Sequence, residues 1–288
     1  MQGVIAAVPT PIDADRAPIK SLFIEHCQWA LANGCDGLNI LGSTGEANSL
    51  DAESRRAVMA WAAEALPKDQ LMVGSGMPAL QDTIAMTAHA DDLGYSVALV
   101  LPPYYYKPVS EAGLIDWYMA LHEALGNRAI QVYFYNFPQM TGLGIPVKVI
   151  AELAQLAPAR FTGIKDSSGD LDFCRSIVAA NPALRVFPSS ETALESAQDD
   201  GFAGCISASV NITAPLAGQI WAQRTAPPAD ACTEIARQRA VIAGPTLIAN
   251  VKSLVADRTQ DSRWRAVLPP FRILPETQGQ DLKSALEA

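Results

Sequence analysis

Short, continuously apolar runs alternate with longer stretches whose apolar residues recur every three or four positions. The runs are Val4–Val8, Gly37–Leu41, Leu71–Ser75, Ser96–Leu101, Ile130–Tyr135, Phe161–Lys165, Arg185–Pro188 and Ala203–Ser207. Their length and lack of alternation predict strands covered on both faces. Between them, Leu114, Trp117, Tyr118 and Leu121 fall at i, i+3, i+4 and i+7, and Ile150, Leu153, Ala154 and Ala157 repeat the pattern of a helix with one buried face. Ser49, ahead of Asp51 and Glu53, reads as a helix N-cap, and Gly94 after Leu93 as a C-cap. Eight strands alternating with seven or eight helices predict parallel pairing through right-handed crossovers. A closed (β/α)8 TIM barrel is the first expectation and an open doubly wound sheet the second. Past residue 224 the strands stop, and Pro269, Pro270 and Pro275 interrupt a helical remainder. The expected organisation is a barrel carrying the active site over residues 1–224, with a C-terminal helical extension over 225–288.

Composition changes this picture little. A chain of 288 residues suits one such barrel, and at 49% hydrophobic and 18% charged it needs no disulfide or metal staple. A formal charge of −9 argues against nucleic-acid and anionic-membrane partners, so an anionic substrate has to be held by local donors. The scattered Cys27, Cys35, Cys174, Cys205 and Cys232 read as buried thiols in a reducing compartment. The first residues have no basic region, and no apolar stretch reaches membrane-spanning length. The expectation is a soluble, cytoplasmic protein.

Catalytic groups of a barrel belong at the C-terminal ends of its strands. Those ends carry Thr10, Ser43-Thr44, Tyr104-Tyr105-Tyr106, Tyr135, Lys165, Ser189-Ser190-Glu191 and Ser207. Lys165 closes the apolar run Phe161-Thr-Gly-Ile-Lys165 and precedes a polar turn. Desolvation there would lower its pKa and free an amine able to form a Schiff base with a ketone. Half-neutrality at pH 7 asks for roughly 4.6 kcal/mol of differential interaction, within reach of a buried lysine. On this segment alone, a strand-end lysine snorkelling to solvent is an equal reading. Gly42-Ser43-Thr44-Gly45-Glu46 offers two hydroxyls and backbone amides to a carboxylate, although such loops also serve as plain turns. The Tyr135 phenol is fixed by the Asn136-Phe137-Pro138 turn after it, or simply packs. His26, His89 and His122 lie in helical patterns, so no metal site is expected.

Taken together, Gly42-Ser-Thr-Gly-Glu46, Tyr135-Asn-x-Pro-x-x-Thr-Gly142 and Gly163-Ile-Lys-Asp-Ser167 resemble the dihydrodipicolinate synthase/N-acetylneuraminate lyase family. The resemblance runs from Pro9-Thr-Pro11 to Gly204-Cys-Ile-Ser207, with C-terminal helices also expected. It implies a (β/α)8 barrel and a covalent lysine–pyruvyl imine with no added cofactor. It further implies a 2-oxo acid such as pyruvate as partner, and a homotetramer built as a dimer of dimers. Lys165 matches the Schiff-base lysine and Tyr135 the proton-shuttling phenol. Ser43 and Thr44 match the hydroxyls that bind the pyruvyl carboxylate, and Ile206 the position whose carbonyl faces the pyruvyl group. Tyr105 matches a tyrosine lent across the dimer, and Ser190 lies among the substrate-binding candidates after strand seven.

Two departures narrow the expected substrate. Where dihydrodipicolinate synthases carry a carboxylate-binding arginine, this chain has Met140. Where sialic-acid lyases read a polyol tail, it has Thr192, Ala193 and Ala208. The expected activity is therefore a class I lyase or aldolase acting next to a pyruvyl unit, on a 2-keto-3-deoxy sugar acid or related 4-hydroxy-2-oxo acid. The alternatives are a dihydrodipicolinate synthase with an unusual carboxylate site, a keto-deoxy-acid dehydratase, and a non-catalytic 2-oxo-acid sensor.

Overall fold

Eight parallel strands form one sheet in the computed structural model, which describes residues 1–288. They are β1 (Gly3–Ala7), β2 (Gly37–Ile40), β3 (Leu71–Gly74), β4 (Val97–Val100), β5 (Gln131–Asn136), β6 (Phe161–Asp166), β7 (Arg185–Pro188) and β8 (Gly204–Ser207). Each expected strand is present, with ends within a residue or two of the apolar runs. The order β7-β6-β5-β4-β3-β2-β1-β8 pairs the last strand with the first. The remaining gap is spanned where Ala203, just ahead of β8, donates its N–H to the Val186 carbonyl of β7 at 2.9 Å. The result is a (β/α)8 TIM barrel with helices at its C-terminal end, and the open doubly wound sheet is set aside.

The helices are α1 (Lys20–Ala32), α2 (Ala52–Ala65), α3 (Leu80–Leu93), α4 (Glu111–Leu125), α5 (Pro138–Thr141), α6 (Val147–Leu156), α7 (Leu171–Ala180), α8 (Ala197–Asp200), α9 (Val210–Ala222), α10 (Ala229–Ile242), α11 (Leu247–Thr259) and α12 (Glu276–Glu287). Gly94 ends α3 in the left-handed region at φ 88°, as its position predicts. The N-cap of α2 is a correction: Asp51, not Ser49, accepts the first-turn N–H, from Ser54 at 2.7 Å. Ser49 sits in a preceding 3₁₀ turn and donates to the Pro269 carbonyl instead. His26, His89 and His122 lie within α1, α3 and α4.

Alternation along the strands divides the core in two. Val4, Leu38, Val73, Val132, Phe134 and Val186 face outward against the helices. Ile5, Ala7, Met72, Leu99, Tyr133, Tyr135, Phe187 and Ile206 fill the barrel interior. A third apolar cluster joins Leu22 of α1 to Ile242, Val251, Val255, Trp264 and Leu282 of the C-terminal helices.

A polar junction locks that third cluster to the barrel. His26 Nδ1 accepts from Arg258 Nη2 at 2.7 Å, so its hydrogen sits on Nε2, which donates to Asn211 Oδ1 at 2.8 Å. Asn211 in turn donates to the Ala7 and Ala208 carbonyls, at the ends of β1 and β8. The Arg258 guanidinium lies 3.3 Å from the Trp29 ring centroid. Burial, reinforced by Arg258, pushes the His26 imidazole down to about 3.

His26 thus stays neutral in the fold, while the unfolded chain takes up a proton below its ordinary value near 6.5. Stability is insensitive to this group above that value and falls as pH drops from about 6.5 toward 3. The slope approaches 1.4 kcal/mol per pH unit for one site. Chemical denaturation at pH 7 and pH 5 should show the loss, and His26→Gln should flatten it. His89, shifted the same way by burial, accounts for a residual slope. An unchanged slope in the variant would remove His26 from this role.

Candidate active site

The face that Lys165 reaches is set by an irregularity in β6. Phe161 and Ile164 both pack outward, although residues three apart on a regular strand point to opposite faces. The β5–β6 register shifts here: Val132 pairs with Phe161 but Tyr133 pairs with Gly163, so Thr162 is the extra residue of a bulge. The shift brings Lys165 opposite Tyr135, which faces the barrel interior. Gly163 is dictated by the same geometry, because a Cβ there would stand 2.8 Å from the Arg185 carbonyl and 2.9 Å from the Tyr133 ring.

Lys165 and Tyr135 are both buried, and Lys165 Nζ lies 3.5 Å from Tyr135 Oη and 4.6 Å from the ring centroid. Tyr135 Oη is 3.2 Å from Ser43 Oγ. The Lys165 amine has no carboxylate partner, because the adjoining Asp166 side chain bonds Asn136 and Ser168. An amine, a phenol and a hydroxyl form a continuous chain suited to carbonyl attack and proton transfer. A snorkelling lysine is thereby excluded.

The loop that carries Ser43 and Thr44 is held in a strained shape. Leu41 and Glu46 both adopt positive φ, 53° and 55°. Thr10 Oγ1 donates to the Gly45 carbonyl at 2.8 Å. The Glu46 carboxylate, fully buried, accepts from Lys252 Nζ of α11 and from the Leu268 N–H. Lys252 also donates to the Ala266 carbonyl at 2.6 Å. Burial lowers the Lys252 pKa and Glu46 opposes that shift. The motif's glutamate is therefore a clamp between the loop and the C-terminal extension.

A cavity of about 280 Å³ opens over Ser43 and Tyr135. Tyr104, Phe137, Met140, Ile248, Pro270 and Phe271 form its outer walls. No lysine, arginine or histidine lines it, and its one carboxylate, Glu46, is already paired. Lys107 is not among the lining residues; its Nζ is bonded to the Tyr104 and Thr141 carbonyls.

The structure thus brings together Lys165, Tyr135 and Ser43, with Thr44 buried beside Ser43 and Met140 on the cavity wall. The Ile206 side chain is buried in the barrel interior. Tyr105 is not brought in: it is 72% exposed and stacks edge-on with Tyr106. Ser190 is not among the residues lining the cavity; its hydroxyl caps a 3₁₀ turn and bonds Thr192. Sequence reasoning missed Ile248, Pro270 and Phe271, which come from the extension. It also missed Arg55, buried behind the cavity, where it donates to the Gly74 carbonyl at 2.9 Å. Burial depresses the Arg55 guanidinium to about 10, with Tyr104 opposing the shift. No local pattern marked any of these; of the tyrosine trio, Tyr104 is the one that faces the cavity.

A sequence model of the dihydrodipicolinate synthetase family matches residues 1–288. An uncharacterised DapA-like lyase of Chloroflexus aurantiacus is 34% identical over 212 residues, which cover 72% of this chain and 69% of the relative. The dihydrodipicolinate synthase of Agrobacterium tumefaciens superposes with a TM-score of 0.88 at 25% identity, covering 100% of this chain and 99% of the other. YagE, a prophage protein of E. coli K12 in the dihydrodipicolinic acid synthase family, was solved in complex with pyruvate. It superposes with a TM-score of 0.88 at 26% identity, covering 100% and 98%.

The clamp is open to a direct stability test. Lys252→Met leaves the Glu46 carboxylate buried and unpaired, which should cost about 3–5 kcal/mol in chemical denaturation. Glu46→Gln combined with Lys252→Met removes both charges while keeping an acceptor for the Leu268 N–H, and should recover most of that loss. A double variant no more stable than Lys252→Met would show that the pair is not the source of the penalty.

Proposed function

This chain belongs to the dihydrodipicolinate synthetase family, and from that membership we propose that it is a Schiff-base lyase that makes or breaks a C–C bond next to a pyruvyl unit. The observation that carries the reading is the buried Lys165 amine, 3.5 Å from the Tyr135 phenol and free of any carboxylate partner. In cleavage, Lys165 Nζ attacks C2 of a 4-hydroxy-2-oxo acid and water leaves, giving an iminium ion. Tyr135 takes the C4 hydroxyl proton as its own proton passes through Ser43 to the substrate carboxylate, while the C3–C4 bonding electrons flow into the iminium. An aldehyde departs and an enamine remains, and protonation at C3 and hydrolysis release pyruvate and restore the amine. Ser43, 3.2 Å from the phenol, relays the proton and with Thr44 holds the carboxylate. The Ile206 carbonyl completes the pyruvyl site, with Ser190 at its margin.

The cation-free lining supports a neutral-tailed acceptor, such as that of a 2-keto-3-deoxy sugar acid. The likeness to the Agrobacterium synthase favours a second reading, condensation of pyruvate with aspartate semialdehyde. That reading lacks a cationic side chain on the cavity wall for the acceptor's carboxylate, where Met140 stands. The exposed Tyr105 suits the cross-subunit role in a dimer of dimers. No single helix is long and apolar enough to cross a membrane; a cytoplasmic enzyme of small molecules is part of the proposal.

Incubation with pyruvate and borohydride should add one covalent adduct, at Lys165, and Lys165→Ala should add none. Trapping at another lysine would overturn the Schiff-base role, and a wild-type protein that gains no adduct would favour the non-catalytic sensor. Tyr135→Phe should fold normally and lose about 10²–10⁴-fold in turnover, the usual worth of a general acid–base. A loss within threefold would return the ring to packing.

A panel of 2-oxo acids assayed for pyruvate release tests the substrate. At least one neutral-tailed 2-keto-3-deoxy acid should be cleaved with higher kcat/KM than the semialdehyde condensation. Condensation exceeding every cleavage by tenfold would give the site to the synthase.

A further inference from the structure

The residues following Tyr135 and Lys165 are Asn136 and Asp166, paired across β5 and β6 just as their neighbours are. By alternation, their side chains point outward on the barrel, behind the amine and the phenol. Both are buried, 3% and 2% exposed. Asn136 Nδ2 donates to Asp166 Oδ1 at 2.7 Å, and Asn136 Oδ1 accepts from the Ile145 N–H at 3.0 Å. Asp166 Oδ2 accepts from the Ser168 N–H at 3.1 Å and the Ser168 hydroxyl at 2.6 Å. Each oxygen of the two side chains has a donor, and the Asn136 amide donates to the carboxylate.

We propose that Asn136 and Asp166 are positioning residues: a cross-strand latch that holds the bulged β5–β6 register and so sets the Lys165–Tyr135 approach. The proposal deepens the lyase reading and rests on it. Without the bulge, Tyr135 would pair with Ile164 and Asn136 with Lys165. That register offers Asn136 no carboxylate opposite, so the hydrogen bond is available only in the register that aligns the reacting groups. The latch also turns the Asp166 carboxylate outward, away from the amine next to it in the chain. A misplacement on the order of 1 Å at such a site costs roughly 10²-fold in rate.

The pair permits a swap test. Asn136→Asp sets two carboxylates face to face. In Asn136→Asp combined with Asp166→Asn, the amide at 166 donates to the carboxylate at 136. The amide oxygen keeps the Ser168 donors, and the second carboxylate oxygen keeps the Ile145 N–H, so every bond is rebuilt and only the cross-strand one has its polarity reversed. At saturating pyruvate, the rate of borohydride-trapped adduct should fall at least 30-fold in Asn136→Asp and return to within threefold of wild type in the double variant. The pyruvate concentration for half-saturation should stay within threefold, because the Ser43–Thr44 loop is untouched.

Carbamylation of Lys165 by cyanate, read by peptide mass, gives a second measure that does not depend on pyruvate, with the same expected order. Ser168→Ala, which removes one donor to Asp166 and leaves both strands intact, should lower both rates by about threefold to tenfold. This variant keeps the test decisive where Asn136→Asp fails to fold. A swap no faster than Asn136→Asp, or unchanged cyanate labelling in both Asn136→Asp and Ser168→Ala, overturns the latch. A wild-type protein that gains no pyruvate adduct but shows the expected cyanate order overturns the lyase reading and leaves the latch standing.

Discussion

Side chains on a strand alternate between its faces, so the direction of Lys165 is decided at the start of β6, where Phe161 packs outward. Counting from there in strict alternation would turn Lys165 toward the helices. The one extra residue, Thr162, reverses the parity and delivers the amine to the barrel interior opposite Tyr135. Much else around the site accommodates that choice. Gly163 clears the space the bulge needs, and Asp166 finds its partners on the outer face.

The second organising feature is how charge is treated inside the molecule. Glu46 and Lys252 are both fully buried, and such pairs gain little net stability against apolar residues of similar volume. What the pair does well is specify: it admits one arrangement of the loop bearing Ser43 and Thr44, against one face of the C-terminal extension. Glu191 is handled in the same way beneath β8, with Ser207, Ser209, Thr213 and Arg239 all donating to it. Arg55 and Lys165 are buried without a carboxylate, but Arg55 donates to the Gly74 carbonyl whereas the Lys165 amine meets only the Tyr135 phenol.

The extension is consequently part of the site's construction. Ile248, Pro270 and Phe271 wall the cavity, while Lys252 and the Leu268 N–H anchor its floor. In a chain of net charge −9, the cavity also gains no local cation. Both facts bear on what the cavity can hold.

The periodicity of apolar residues determined the eight strands and their parallel order, because a strand buried on both faces has to be continuously apolar whatever surrounds it. The strand ends likewise marked Lys165, Tyr135 and Ser43, since a barrel's C-terminal rim is fixed once its strands are. Other features depended on contacts far apart in the chain. Thr162 looks like any strand residue until Phe134, Ile164 and the helices settle which side chains face out. Tyr104 and Tyr105 are equivalent in sequence, and Lys107, bonded to the Tyr104 and Thr141 carbonyls, links the loop that carries both to the strand-five turn. Glu46 could have been a solvated turn residue; only the fold brings Lys252, 206 positions away, against it. Local pattern governs burial and spacing, whereas the pairing of buried polar groups requires partners that only the closed barrel and its extension bring together.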